Sequence, residues 1–228
     1  FTAVAIFSVA SLNLSLLINS VGFYQVSNDE GLERYTMHLG GKRIEAMSVN
    51  TDDSTAFTIT GVYGSNDFRG VQGAFFMKLD FRNQKVIQEG FQEFGKNFIT
   101  EDWSDKEIER AEKRASRGKE EPALYNYQMR EAQLLPDGSM IGIMEQNYVV
   151  VRSFSDTRSM VTFSYTYYYN DIVIFKIGQS GQFDWIEKVR KSQISSNDGG
   201  PYSSFASIVD GNKIRLIFND FPCLFFVY

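Results

Sequence analysis

Asp52-Asp-Ser-Thr-Ala-Phe-Thr-Ile-Thr60 and Asp137-Gly-Ser-Met-Ile-Gly-Ile-Met144 decide how this chain is read. Each sets a short Asp-led turn in front of a run of β-branched and apolar residues. Asp-Asp and Asp-Gly tolerate the positive φ of a tight hairpin, so both stretches predict a turn feeding a strand. The same layout recurs in Val9-Ala-Ser-Leu-Asn-Leu-Ser-Leu-Leu-Ile-Asn19 and Val209-Asp-Gly-Asn-Lys-Ile-Arg-Leu-Ile-Phe-Asn219, whose apolar positions coincide at a constant offset of 200. An apolar run precedes the turns, as at 44–49, 132–135 and 205–209, which predicts four hairpins.

A second repeated element lies between the hairpins. Gly73-Ala-Phe-Phe-Met-Lys-Leu-Asp80 and Asp171-Ile-Val-Ile-Phe-Lys-Ile-Gly178 align Lys78 with Lys176 at an offset of 98. Alternation puts Phe75, Met77 and Leu79, and likewise Val173, Phe175 and Ile177, on one strand face. A weaker copy at 32–39 groups Tyr35, Met37 and Leu39 and leaves His38 opposite. The unit is a four-stranded antiparallel meander with a period of 43 residues between Leu14 and Phe57, the size of one β-propeller blade. The expected fold is all-β: a single β-propeller-like domain over 1–228 with three to four blades visible. That is few for a closed ring, so the ring would be completed by a partner or by further chain.

Two insertions interrupt the repeat. The first, 99–122, predicts a helix: Ser104-Asp-Lys-Glu107 is a capping-box pattern and Gly118 a stop. Between 101 and 121 stand eight acidic and six basic side chains. Trp103, Ile108, Ala111 and Ala115 form only a narrow apolar stripe, so the helix is expected to lie on a surface, with Trp103 as its anchor and a candidate partner contact. The second insertion, 147–170, predicts a protruding β-hairpin. Four of the chain's 12 tyrosines fall between Tyr165 and Tyr169. Tyr165, Tyr167 and Tyr169 share a face, Tyr168 points the other way, and Asp171 marks where the arm enters the blade. A two-stranded ribbon is marginal alone, so one face should rest on something, and exposed tyrosine rows also suit recognition.

Composition narrows the function classes. A net charge of -5 without any basic cluster argues against nucleic acid. The single cysteine, Cys223, excludes an internal disulfide, and a lone His38 excludes a His-rich metal site. Residues 1–26 carry no charge, but Ser8, Ser11, Asn13, Ser15 and Asn19 would bring polar groups into hydrocarbon, so no transmembrane span is predicted. The start at Phe1 is read as the loss of a leader. Asn-Asp occurs five times, and its oxygens suit turns first; Ca²⁺ is the one cofactor it admits. The loop Ser195-Ser-Asn-Asp-Gly-Gly-Pro-Tyr-Ser-Ser204 is neither a P-loop nor a nucleophile elbow, and Asn197, Asp198 and Tyr202 in it could face a ligand near the tyrosines.

Tyr167-Tyr-Tyr-Asn-Asp171, Asn197-Asp-Gly-Gly200 followed by Tyr202-Ser-Ser204, Ala123-Leu-Tyr-Asn-Tyr127 and Ile217-Phe-Asn-Asp220 resemble segments of uncharacterised exported β-propeller-like proteins of Gram-negative bacteria. The resemblance runs from about residue 30 to 220 and implies export to the periplasm or cell surface, but no activity. The function expected is a non-catalytic binding or scaffold module contacting a protein partner or a glycan. The alternatives are a structural subunit of an outer-membrane-associated assembly, or a glycan-active hydrolase with Asp29, Asp67, Asp171 and Asp198 converging in an acidic funnel.

Overall fold

The computed structural model describes residues 3–7, 20–27, 31–38, 41–51, 56–65, 70–80, 83, 85–119, 122–155, 161–200, 202–210 and 213–219. Strands β1 (Ala3–Phe7), β2 (Ser20–Ser27) and β3 (Gly31–His38) pair antiparallel in the order β1-β2-β3. The repeat's first predicted strand, 14–19, lies outside the described residues. Next comes a four-stranded antiparallel meander: β4 (Lys42–Thr51), β5 (Ala56–Ser65), β6 (Gly73–Asp80) and β7 (Lys85–Glu93). Helices α1 (Lys96–Thr100) and α2 (Asp105–Ala115) follow.

The next meander is longer: β8 (Tyr127–Leu134), β9 (Met140–Ser155), β10 (Val161–Ile177) and β11 (Phe183–Val189), with β12 (Gln193–Ser196) as a fifth strand on the edge of β10. Finally β13 (Phe205–Asp210) and β14 (Lys213–Phe218) form a two-stranded hairpin. The all-β class and the repeated antiparallel meander follow the sequence reading; among the described residues no sheet closes on itself.

The β4–β7 sheet, the β8–β12 sheet and the β13–β14 hairpin pack face to face in chain order. Val62, Ala74 and Phe76 of the β4–β7 sheet pack with Met140, Met144, Val173 and Phe175 of the β8–β12 sheet, and Phe94, Ile99 and Leu124 complete that cluster. The second sheet's other face, with Ile141, Ile143, Ile172 and Ile174, is covered by Phe205, Val209, Ile214, Leu216 and Phe218 of the hairpin. Phe57, Ile59, Phe75, Met77 and Leu79 form a third cluster on the first sheet's opposite face. Residues 56–64 of β5 are all buried, and Thr60 meets that constraint by donating its hydroxyl to Phe75 O at 3.0 Å.

Both meanders share one packing device. Gly61 stands opposite Phe75 and Gly142 opposite Phe175 in register, and each ring lies over its glycine. A Cβ on Gly142 would sit 2.2 Å from Phe175 Cζ, and one on Gly61 2.7 Å from Phe75 Cε1, so no side chain fits at either position.

Helix α2 lies on the surface. None of its residues is buried, and Trp103, half-buried against the central cluster, anchors its start. Glu107 accepts from the Ser104 N–H at 2.8 Å and from its hydroxyl at 2.7 Å. At the other end Gly118 N–H reaches Ala115 O and Lys119 N–H reaches Arg114 O, the paired bonds of a Schellman stop. The helical segment is therefore two short helices within 96–115, joined by a turn at 101–104 and followed by a turn at 116–118. No helix among the described residues is long and apolar enough to cross a membrane.

Candidate functional site

The strands that build the site are β9 and β10, which run past their neighbours. Pairing of β9 with β8 stops at Gln146, and pairing of β10 with β11 stops at Ile172. A bulge at Asn170 and Asp171 follows, and then β12 takes over the edge, pairing Gln193 with Tyr169 through to Ser196 with Thr166. The predicted two-stranded ribbon is thus three-stranded at its base. Asp171 accounts for this: its Oδ1 accepts the Lys191 N–H at 3.0 Å and turns the chain back along β10.

Alternation makes one ribbon face the continuation of the core face. Along β9, Ile143, Glu145, Asn147, Val149 and Val151 point the same way, opposite Ile174, Ile172, Tyr169, Tyr167 and Tyr165 of β10. The face is buried at its base, and at the tip Val149, Val151, Val161, Phe163 and Tyr165 are 40–57 % exposed. On the reverse face Tyr148 and Tyr168 stack with centroids 4.7 Å apart.

A buried polar belt separates base from tip. Glu145, fully buried, meets Arg130 at 2.8 Å and the Ser204 hydroxyl at 2.7 Å through Oε2. Its Oε1 receives no aligned hydrogen bond, and its counter-charge is Lys191 Nζ at 2.9 Å. That ammonium also donates to Tyr169 O at 3.0 Å and Gln193 Oε1 at 2.9 Å. Burial pulls the Lys191 pKa down, with Glu145 acting against the shift. Tyr169 lies beneath two cations, Arg130 at 5.9 Å and Lys191 at 5.8 Å from its ring centroid. Gly200 packs on the same ring, where an added Cβ would come within 2.8 Å. The belt ties the β8–β12 sheet to the loop before β13, and each of its charges has an opposite partner, which is the condition for burying them.

The segment 122–128 forms a strap between the two meanders. Val71 and Leu124 exchange backbone hydrogen bonds of 2.8 and 2.9 Å. Gln146 Nε2 donates to Tyr125 O at 3.0 Å, and Asn147 N–H to Asn126 O at 2.9 Å. Asn126 is held at φ 62, a left-handed conformation that Asn tolerates better than most side chains. Several hollows border the strap, and two of them concern the site. One, of about 210 Å³, brings together Trp103, Asp102, Tyr127, Asp171 and Lys188. Burial raises the Tyr127 phenol pKa, with Asp171, Asp102 and Glu101 adding to the shift. Lys188 is tied to Asp102 at 3.0 Å and Phe98 O at 2.9 Å. The other hollow is a cleft of about 720 Å³ between β4 and the strap.

The residues singled out from sequence fall into three places. Tyr165 and Asn197 exchange bonds: the Tyr165 N–H reaches Asn197 Oδ1 at 2.8 Å and the Asn197 N–H reaches Tyr165 O at 2.9 Å. Tyr167 pairs with Ser195, and Tyr169 sits in the belt, so the glycine loop does reach the tyrosines, as a cover over their base. Asp198 accepts the Gly200 N–H at 2.9 Å, which holds its carboxyl below the ordinary range together with a Ser195 hydrogen bond. Tyr202 is 82 % exposed. Trp103 and Asp171 share the smaller hollow.

Asp171 and Asp198 each accept a backbone N–H at a turn, and Asp29 and Asp67 lie outside the described residues. No group of three potential metal-ligating side chains occurs among the described residues. Sequence reasoning missed Glu145, Lys191, Arg130 and the cleft. Glu145 had a signal: an acidic residue directly after the apolar run Met140–Met144 implies a buried counter-charge. No protein-family model, curated protein or solved structure matches the chain.

Proposed function

We propose that this chain is an exported, non-catalytic binding or scaffold module of β-propeller-like architecture, and that it docks a protein partner through the tip of the β9–β10 ribbon. The observation that carries the reading is the bare apolar face formed by Val149, Val151, Val161, Phe163 and Tyr165. Most of these side chains lack polar heads, and exposed apolar surface of that kind marks protein contact sites. The ribbon is stiffened for the task by the β12 edge and by the Tyr148–Tyr168 stack.

The propeller-like arrangement is supported by the sense of stacking. The Phe175 face of the second meander looks back toward the first, and the Phe75 face of the first looks away from the second. Corresponding faces thus point the same way in consecutive units, as they must in a ring or solenoid of blades. Export rests on the family resemblance, and fractionation of producing cells tests it directly.

The ribbon is tested by placing a photo-crosslinking amino acid at position 163 in the full chain, expressed in the cells that make it. A single discrete adduct is expected, lost when Val151→Asp is added. No adduct, or a diffuse ladder unaffected by Val151→Asp, sinks the reading.

A further inference from the structure

We infer that the cleft between β4 and the strap is a binding site for a neutral saccharide, separate from the ribbon tip. The cleft, about 720 Å³, lies where the first strands of the two meanders meet. Its charged residues are Arg43 and Glu45, which pair with each other, so the cleft presents no net charge for an ionic ligand to meet. The rest of its polar lining is amide and phenol: Asn126, Gln128 and Asn147 beside Tyr125.

Those amides are notable for what they do not contact. Elsewhere Gln146 and Asn197 are engaged by backbone partners, yet no described residue hydrogen-bonds the Asn126 or Gln128 side chain. Asn147 Oδ1 also lacks a protein donor but is shielded from solvent, so Asn126 and Gln128, both exposed, are the amides presented to a ligand. Each amide offers a carbonyl acceptor and two N–H donors on one plane, which matches sugar hydroxyls that both give and accept. Tyr125 adds an aromatic ring with a polar tip, suited to the C–H face of a pyranose.

The site is built rather than incidental. Asn126 is left-handed with its carbonyl accepting the Asn147 N–H, and the Val71–Leu124 exchange anchors the strap just before it, so the position of the amide is set by backbone bonds. The nearest rival, an extended peptide adding to a strand edge, meets an obstacle on both sides. β4 bulges at Glu45 and β8 at Arg130, which interrupts the row of backbone groups that strand addition uses.

The test is saturation-transfer NMR on the full chain with maltotriose, cellotriose, chitotriose and, as an anionic control, trigalacturonate. Transfer to at least one neutral trisaccharide is expected. Asn126→Gly keeps the positive φ and Gln128→Ala alters an exposed side chain. Each should weaken that binding about tenfold, the effect of one lost hydrogen bond to the ligand. Phe163→Ser at the ribbon tip should leave it unchanged. The proposal is overturned if no neutral trisaccharide shows transfer, if trigalacturonate alone does, or if both cleft variants bind as the parent does while retaining its amide spectrum.

Discussion

The β9–β10 ladder has two ends with opposite fates. At the base, Ile141, Ile143, Ile172 and Ile174 lie under the β13–β14 hairpin; at the tip, Val149, Val151, Phe163 and Tyr165 carry the same alternation into solvent. Strand propensity and face pattern are alike at both ends. The difference lies in whether later chain returns to cover the face, and the Glu145–Lys191 belt marks the line where that cover stops.

Breaking the belt should have the largest effect. Glu145→Leu leaves the fully buried Lys191 ammonium without its counter-ion, at a cost of about 3–5 kcal/mol in chemical denaturation. Adding Lys191→Met should restore most of the loss, because an apolar pair of similar volume needs no solvation. Burial already lowers the Lys191 pKa below its ordinary 10.5. A depressed ammonium costs stability fully below its folded value and progressively less as pH rises to the unfolded one. The deficit of Glu145→Leu should therefore shrink as pH rises toward 10.5. A double variant no more stable than the single would show that the belt acts by packing rather than by charge.

Next in size is Gly142→Ala at the base. The new Cβ would lie 2.2 Å from the Phe175 ring, which is fully buried and cannot move aside cheaply. Overpacking of this kind costs about 1–3 kcal/mol in thermal or chemical unfolding. A neutral outcome would mean that the core between the meanders is looser than its burial implies.

These two positions also show what was legible beforehand. The Asp-led turns and period-two alternation located most strands because both are local: turn chemistry and side-chain direction are set within a few residues. Gly142 was visible as part of the repeat, but its reason lies in a ring on the next strand. The predicted loop 195–204 begins inside β12, because Gln193-Ile-Ser-Ser196 is short and polar and becomes a strand only through the edge that the bulge at Asp171 exposes. The cleft was hidden for a related cause. It depends on β4 and β8 meeting edge to edge, a long-range fact that no single stretch encodes, whereas Trp103 and the tyrosine row advertised themselves by composition.

A smaller effect is expected in acid, at the turn that covers the ribbon base. Asp198 is held below its ordinary pKa of 3.8 by the Gly200 N–H. A lowered carboxyl contributes stability above the unfolded value and loses it as pH falls through the folded one. Hydrogen exchange at Gly200, corrected for intrinsic rate, should therefore accelerate below pH 3.8, before Ile143 or Ile174 responds. Simultaneous loss of protection at all three would mean that the cover and the base open as one unit.

The smallest effect should come from the tip, and its smallness is the informative result. Phe163 is 53 % exposed, and Phe163→Ser leaves the backbone ladder to Ser153 in place. Surface changes that remove no buried contact stay within about 0.5 kcal/mol, so the unfolding midpoint should hardly move. The same substitution should abolish the partner adduct formed when the crosslinking amino acid is moved to position 165. If Phe163→Ser instead destabilises the chain as Gly142→Ala does, the tip is covered within the protein itself. The two ends of β9–β10 would then share one fate, and the ribbon would be core rather than contact surface.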